Sequence, residues 1–278
     1  MGKRGASPAT RPLCELRELL ADGPPFDQSL LAALKADPRS GAQALHRSCL
    51  RRRERARCEE ARLREMMRFE REAGRNGFKR IAGVDEAGRG PLAGPIVAGA
   101  VVLAEPVAGL DDSKRLSPAR REQLFAELHA RRPTHDIGVA VVDSETIDLQ
   151  GIQRANYTAM MRAVEKLEAP PDFLLVDGYT VPGCPYRHQR VVKGDRLSLS
   201  IAAASIVAKV VRDRIMYELD RRFPAYGFAQ NKGYATPDHL EALERHGPSP
   251  VHRTTFSPLA PGTQTELLPM RSHESTGQ

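Results

Sequence analysis

The stretch IAGVDEAGRGPLAGP, residues 81–95, decides how the rest of the chain is read. Ile81, Ala82, Gly83 and Val84 suit the end of a buried strand. Gly88, Gly90 and Gly94 suit backbone that turns tightly or lets another molecule come close. Asp85 and Glu86 are therefore expected at a strand end beside flexible backbone. Successive strand side chains face opposite ways, so both acids serve one site only if the strand bends or one reaches in from the other face. Crowded carboxylates repel each other, and a divalent cation supplies a reason for the crowding. A strand running into a polar turn accounts for the same residues with no site at all.

Working outward, the 278 residues suffice for one large domain and an appendage, and no long apolar run suggests a membrane span. The N-terminus MGKRGASPATRP is charged but no apolar segment follows, so it does not read as a secretory signal. Cys14, Cys49, Cys58 and Cys184 lack paired spacing and nearby histidines, which argues against zinc and against a disulfide framework. A soluble protein of a reducing cytoplasm is expected. The formal charge of +7 is unevenly spread: residues 1–80 hold 19 Lys or Arg against 11 Asp or Glu, and residues 81–278 hold 23 against 24. A basic arm favours phosphate-rich partners, and the near-neutral remainder must obtain specificity from local geometry.

Residues 1–12 read as disordered. Short helices are expected around Leu13, Leu16, Leu19 and Leu20 and around Leu30, Leu31 and Leu34, then a longer one from about Ser40 to Gly74, dense in arginine and glutamate. This gives a basic helical extension over 1–78, either solvated or in contact with nucleic acid. From Lys79 strands and helices mix: strands over 81–84, 96–103, 137–142, 173–176 and 190–192, helices over 118–129, 155–167, 197–222 and 238–245. The implied fold is a sheet covered by helices over 79–259, α/β or α+β, followed by a disordered tail over 260–278.

Two more acids follow apolar runs and meet a glycine. Asp177 ends FLLVDG, and Asp195 follows Lys193-Gly194, where it can simply cap the next helix. In that helix Ser198, Ser205, Lys209 and Arg212 recur on one side as a polar stripe, while Ala202, Ala203, Ala204 and Ala208 permit close packing. The stripe is a candidate phosphate-facing surface. Lys232-Gly233-Tyr234 and Pro250-Val251-His252-Arg253 put basic and aromatic groups in loops.

Together the segments GVDEAGRGPLAGP (83–95), DDSKRLS (111–117), LVDG (175–178), KGD (193–195), SIAAASIVAKVVRD (200–213), NKGYATPDHLEAL (231–243) and HRTTF (252–256) resemble the bacterial ribonuclease HII family. The resemblance implies a ribonuclease-H-like mixed sheet flanked by helices. It implies that Asp85, Glu86, Asp177 and Asp195 hold two magnesium or manganese ions. Gly88, Arg89 and Gly90 match the loop that meets the ribose 2′-hydroxyl and its phosphate, Tyr234 the tyrosine at the RNA-DNA junction, and Lys114, Ser205 and Lys209 positions assigned to phosphate contact. The implied partners are RNA-DNA hybrids and duplex DNA containing single ribonucleotides, cut by a monomer. The related ribonuclease HIII usually has threonine at the position of Arg89 and a strand-rich N-terminal domain, so the helical pattern here favours HII. A non-catalytic binder of hybrids would tolerate loss of an acid, and none is lost. Another two-metal phosphotransferase would not call for Arg89 between glycines or for Tyr234.

Overall fold

The computed structural model describes residues 11–131 and 134–260. The residues expected to be disordered at 1–10 and 261–278 lie outside that range. Arg11 and Pro12, read as part of the disordered start, belong to the ordered chain: Arg11 pairs with Glu15 and Pro12 precedes the first helix. The chain divides into two compact units, parting between Glu65 and Met66.

In the first unit α1 (Leu13–Leu19) and α2 (Gln28–Ala36) precede the long α3 (Ser40–Met66). Leu16, Leu20, Leu31, Leu34, Ala42 and Cys49 form its small core. Asp27 caps α2 by accepting from Ser29 N–H at 2.7 Å. Beyond Leu50 the α3 surface is arginine and glutamate, and no apolar stripe repeats there.

The second unit begins earlier than the 79 expected from composition, because α4 (Arg68–Arg75) belongs to it. Phe69 packs with Leu175, Val191 and Ile201. Glu70, 7% exposed, accepts hydrogen bonds from Ser198 Oγ and from the N–H and hydroxyl of Ser200. These contacts reach across more than a hundred residues, so local charge pattern does not disclose them.

The sheet order is β3-β2-β1-β4-β5, with β1 (Ile81–Ala87) at its centre, β2 (Ile96–Val102) and β3 (Asp136–Val142) on one side, and β4 (Phe173–Asp177) and β5 (His188–Val191) on the other. β1 runs antiparallel to β2 and parallel to β4, so the sheet is mixed and flanked by helices, as expected. Between the strands come α5 (Pro118–Ala130), α6 (Ser144–Gln150) and α7 (Ile152–Glu165), and after β5 the single turn α8 (Gly194–Leu197), α9 (Leu199–Arg222), α10 (Phe228–Asn231) and α11 (Pro237–His246). Parallel β1 and β4 with both faces covered explain the continuous apolar runs before Asp85 and Asp177.

The faces differ in packing. Ala82, Val84, Ala98 and Ala100 meet the apolar side of α7 through Ala155, Ala159, Met160 and Ala163. On the other face α9 lies backbone against backbone: a Cβ on Gly83 would stand 2.1 Å from Ser200 C, and one on Gly99 2.5 Å from Ala204 O. The glycines of the sheet and the alanines of α9 are thus two halves of one close approach.

Candidate active site

The site lies where β1 and β4 end. Val84 pairs with Val176, so Asp85 and Asp177 are the next residues on adjacent parallel strands. Asp85 shares its face with Gly83, toward α9, and Glu86 shares its face with Val84, toward α7. Both acids nevertheless line one cleft, of about 340 Å³, because the sheet stops on their β4 side after Val84, while β2 continues beside them on the other. Gly88, Arg89, Gly90, Lys114, Asp177, Ser205, Lys209 and Tyr234 line the same cleft, joined by Ala87 and Ser113.

Asp195 stands just behind them, 5% exposed, with Oδ2 accepting from Lys114 Nζ at 3.2 Å. It does not cap α9. Ser198 does so, accepting from Ile201 N–H at 3.3 Å, while Asp195 sits in the preceding turn α8. Gly194 N–H donates to Asp177 Oδ1 at 2.6 Å, which ties that turn to the end of β4. Lys193 enters the turn at φ +57°, a left-handed conformation unusual for a residue with a side chain.

Electrostatics follow from the crowding. Burial, then the charges of Glu86 and Asp177, push Asp85 well above the usual carboxylate range. Burial and then Asp177 push Glu86 up to about 7, against the opposing pull of Arg89 and Asn156. Asp177 is raised chiefly by burial, with the Gly194 N–H working the other way. Such acids gain by sharing a cation. Glu86 Oε2 is buried without a hydrogen-bond partner. The oxygens do not close into a ready coordination shell: among the described residues no three acidic, histidine or cysteine groups stand close enough to hold an ion as placed.

Cations border the acids. Asp112, fully buried, accepts from Arg196 Nε and Nη2 and from Lys114 N–H, and so fixes the loop from which Lys114 reaches Asp195. Lys209 Nζ is held by Asp213 at 2.6 Å. Ser205 is 4% exposed and shares a hydrogen bond with Ser113 Oγ at 2.9 Å. Arg89 lies over the Tyr179 ring, 4.6 Å from its centroid, and donates to Gln153 Oε1 at 2.7 Å. Tyr234 is 47% exposed.

The polar stripe of α9 does not present a common face to a phosphate chain. Ser198 turns to Glu70, and Arg212, with no exposed surface, donates to the carbonyls of Pro95, Ala93 and Lys232. Helical spacing established a shared side but not that this side faces the protein. Several residues at the site went unnoticed in the sequence: Asn156, Gln153, Tyr179, Asp112 and Arg196. Asn156 left a signal, being a lone amide on the apolar face of α7, where it is fully buried.

The ribonuclease HII family model matches residues 82–258, and the ribonuclease HII N-terminal domain model matches residues 14–74. A ribonuclease HII of Geobacillus kaustophilus is 50% identical over 246 residues, 88% of this chain and 92% of its own. One of Myxococcus xanthus is 48% identical over 252 residues, 88% of this chain and 86% of its own. The crystal structure of ribonuclease H2 from Pyrococcus horikoshii superposes with a TM-score of 0.55 at 28% identity, covering 65% of this chain and 95% of that one.

Proposed function

The chain belongs to the ribonuclease HII family, metal-dependent hydrolases that cleave the RNA strand of RNA-DNA hybrids, and from that premise we propose that it also nicks duplex DNA on the 5′ side of single embedded ribonucleotides. Two divalent ions, magnesium or manganese, would be held by Asp85, Glu86, Asp177 and Asp195. The observation that carries this reading is the convergence of Asp85, Glu86 and Asp177 in one cleft, where burial raises all three, with the charges of Glu86 and Asp177 adding at Asp85, that of Asp177 at Glu86 and that of Asp195 at Asp177. Hard oxygen donors of this kind suit those cations, and the buried, partnerless Glu86 Oε2 would be satisfied by one. When bound, such ions lower the pKa of a water nucleophile and stabilise charge on the leaving oxygen.

The chain's own residues bind and orient. Lys114 fixes the Asp195 carboxylate and, being largely exposed, offers its ammonium to a phosphate; Lys209, from α9, adds a second cation to the same cleft. Arg89, steadied by Tyr179 and Gln153, holds the phosphate beside the ribose. Gly90 has only Tyr234 Cε1 near its missing Cβ, at 3.8 Å, so a sugar can approach its backbone closely. The Tyr234 ring borders that approach, at the junction where deoxyribose follows ribose. No helix among the described residues is long and apolar enough to cross a membrane, and a cytoplasmic monomer is the proposed form.

The test is incubation of an end-labelled DNA duplex holding one ribonucleotide, with and without magnesium. Magnesium-dependent cutting on the 5′ side of that ribonucleotide is expected. Cutting confined to continuous hybrids would refute the lone-ribonucleotide activity, and full cutting without divalent ions would refute the metal assignment.

A further inference from the structure

Two arginines in the second unit, Arg212 and Arg253, have no exposed surface and, among the described residues, no ion pair. A buried guanidinium without a counter-ion is costly unless its donors are satisfied. Arg253 spends them on one short loop: Nη2 donates to Gly88 O at 2.5 Å and to Gly94 O at 2.8 Å, Nη1 to Arg89 O at 3.0 Å and Nε to Gly94 O at 3.0 Å. Burial, then the charge of Arg212, pull Arg253 down to about 9, which leaves it protonated at neutral pH.

In a trans peptide the C=O and the following N–H point opposite ways. With the carbonyls of Gly88 and Arg89 turned inward to the guanidinium, the N–H groups of Arg89 and Gly90 point away from it. Among the described residues neither N–H meets an acceptor. Both residues line the cleft, and Gly90 is exposed. Two adjacent free donors aimed one way form a small cradle for an oxygen.

The segment carrying Arg253 is itself locked. Arg253 N–H donates to Leu92 O, Gly94 N–H to Val251 O and Leu92 N–H to Gly233 O, each at 2.8 Å. Ser249 N–H donates to His252 Nδ1 at 2.9 Å, so His252 carries its proton on Nε2 and donates to His239 Nε2, also at 2.9 Å. His239 must then donate from Nδ1 to Tyr234 O at 2.8 Å. One bracket thus holds both the 88–90 loop and the backbone of Tyr234.

We propose that Arg253 is a positioning residue for substrate recognition: its fork turns the 88–89 and 89–90 peptide planes so that their N–H groups face the ribose of the scissile nucleotide. The inference rests on the reading of this cleft as a ribose-reading site. It accounts for a charge buried at cost, and it distinguishes Arg253 from Arg89, which touches substrate from the rim.

The test uses the full chain and the variant Arg253→Lys, which keeps the charge but cannot fork. Two quantities are measured: kcat/KM on a duplex with one ribonucleotide and on a continuous hybrid, and the inhibition constant of an all-DNA duplex, which binds through phosphates alone. Misaligned donors should lower kcat/KM by about a hundredfold while the all-DNA inhibition constant stays within about twofold. A parallel loss in both quantities, or no loss in either, would overturn the inference. If Arg253→Lys does not fold, Arg253→Gln, which retains an amide for the same carbonyls, goes through both measurements. If neither folds, Arg253 is a structural residue and the proposal falls. Wild-type protein that fails to cut at a lone ribonucleotide sinks the proposed substrate instead, and the hybrid arm still decides the role of Arg253.

Discussion

Two glycines separated by one residue, Gly88 and Gly90, should respond to alanine differently in stability. Gly88 adopts φ +93°, and a Cβ there would lie 1.9 Å from Arg212 Nε and 2.6 Å from Pro95 O. Arg212 has nowhere to retreat, being fully buried and bonded to three carbonyls. Left-handed strain and overpacking together should make Gly88→Ala cost about 2–5 kcal/mol, a fall in Tm of roughly 5–15 °C. Gly90 has no positive φ and only one ordinary contact near its missing Cβ. Gly90→Ala should stay within about 0.5 kcal/mol of wild type in stability. Activity should nevertheless fall for both, since on the proposed reading the methyl group on residue 90 would stand where the sugar approaches. Thermal unfolding beside kcat/KM on a hybrid separates the cases. Equal destabilisation by the two substitutions, or full activity of Gly90→Ala, would refute the argument that one glycine serves the fold and the other the substrate.

Asp85→Asn should lower turnover by at least about a hundredfold, more than loss of an outer-shell partner costs, and raise the Tm of metal-free protein by relieving repulsion; wild-type turnover would remove Asp85 from the site. Magnesium should raise Tm more at about pH 8 than at about pH 5, as thermal melts with and without the ion will test. The sign follows from the raised acids: metal-free native protein binds more protons than unfolded chain between the ordinary carboxylate range and about 7, so its stability falls as pH rises through that window, and the cation restores it. Deleting residues 1–65, which leaves Phe69 and Glu70 in place, should spare turnover and flatten the salt dependence of duplex binding by roughly 0.9 log-log unit per lost phosphate contact. An unchanged slope in binding titrations would show that the basic helix does not track the duplex.

The sheet was legible because it obeys local rules. Apolar runs before Asp85 and Asp177 mark strands buried on both faces, and a Ser-Pro pair opens α5 with Ser117 accepting from Arg120 N–H, as cap chemistry predicts. Reading failed where direction mattered more than spacing. Gly88 reads as room for a ligand, yet its nearest neighbour is the buried side chain of Arg212. Asp195 reads more readily as a cap, and only the placement of Ser198 three residues later removes that role. Arg253 reads as a loop cation, whereas four hydrogen bonds to carbonyls more than a hundred and fifty residues away make it part of the loop at 88–94.

The same contacts explain how neighbouring strand residues, facing opposite sides, come to share one site. Within a sheet, Asp85 and Glu86 would be separated by the sheet itself. On the β4 side they are not, because pairing with β4 ends at Val84 and β1 continues only to Ala87 before the loop held by Arg253 turns the chain. Asp85 then leans on the α9 side, where Ser205 favours its ionised form, and Glu86 on the α7 side, where Asn156 does the same. Each acid thus faces a polar side chain of the helix covering its own side of the sheet. The close seat of α9 on Gly83 and Gly99 brings Ser205 within reach, so side chains absent from the sheet help to set the width of the cleft. Positioning at this site therefore depends on three packed layers together, which is why motifs scattered from residue 83 to residue 256 are needed to specify it.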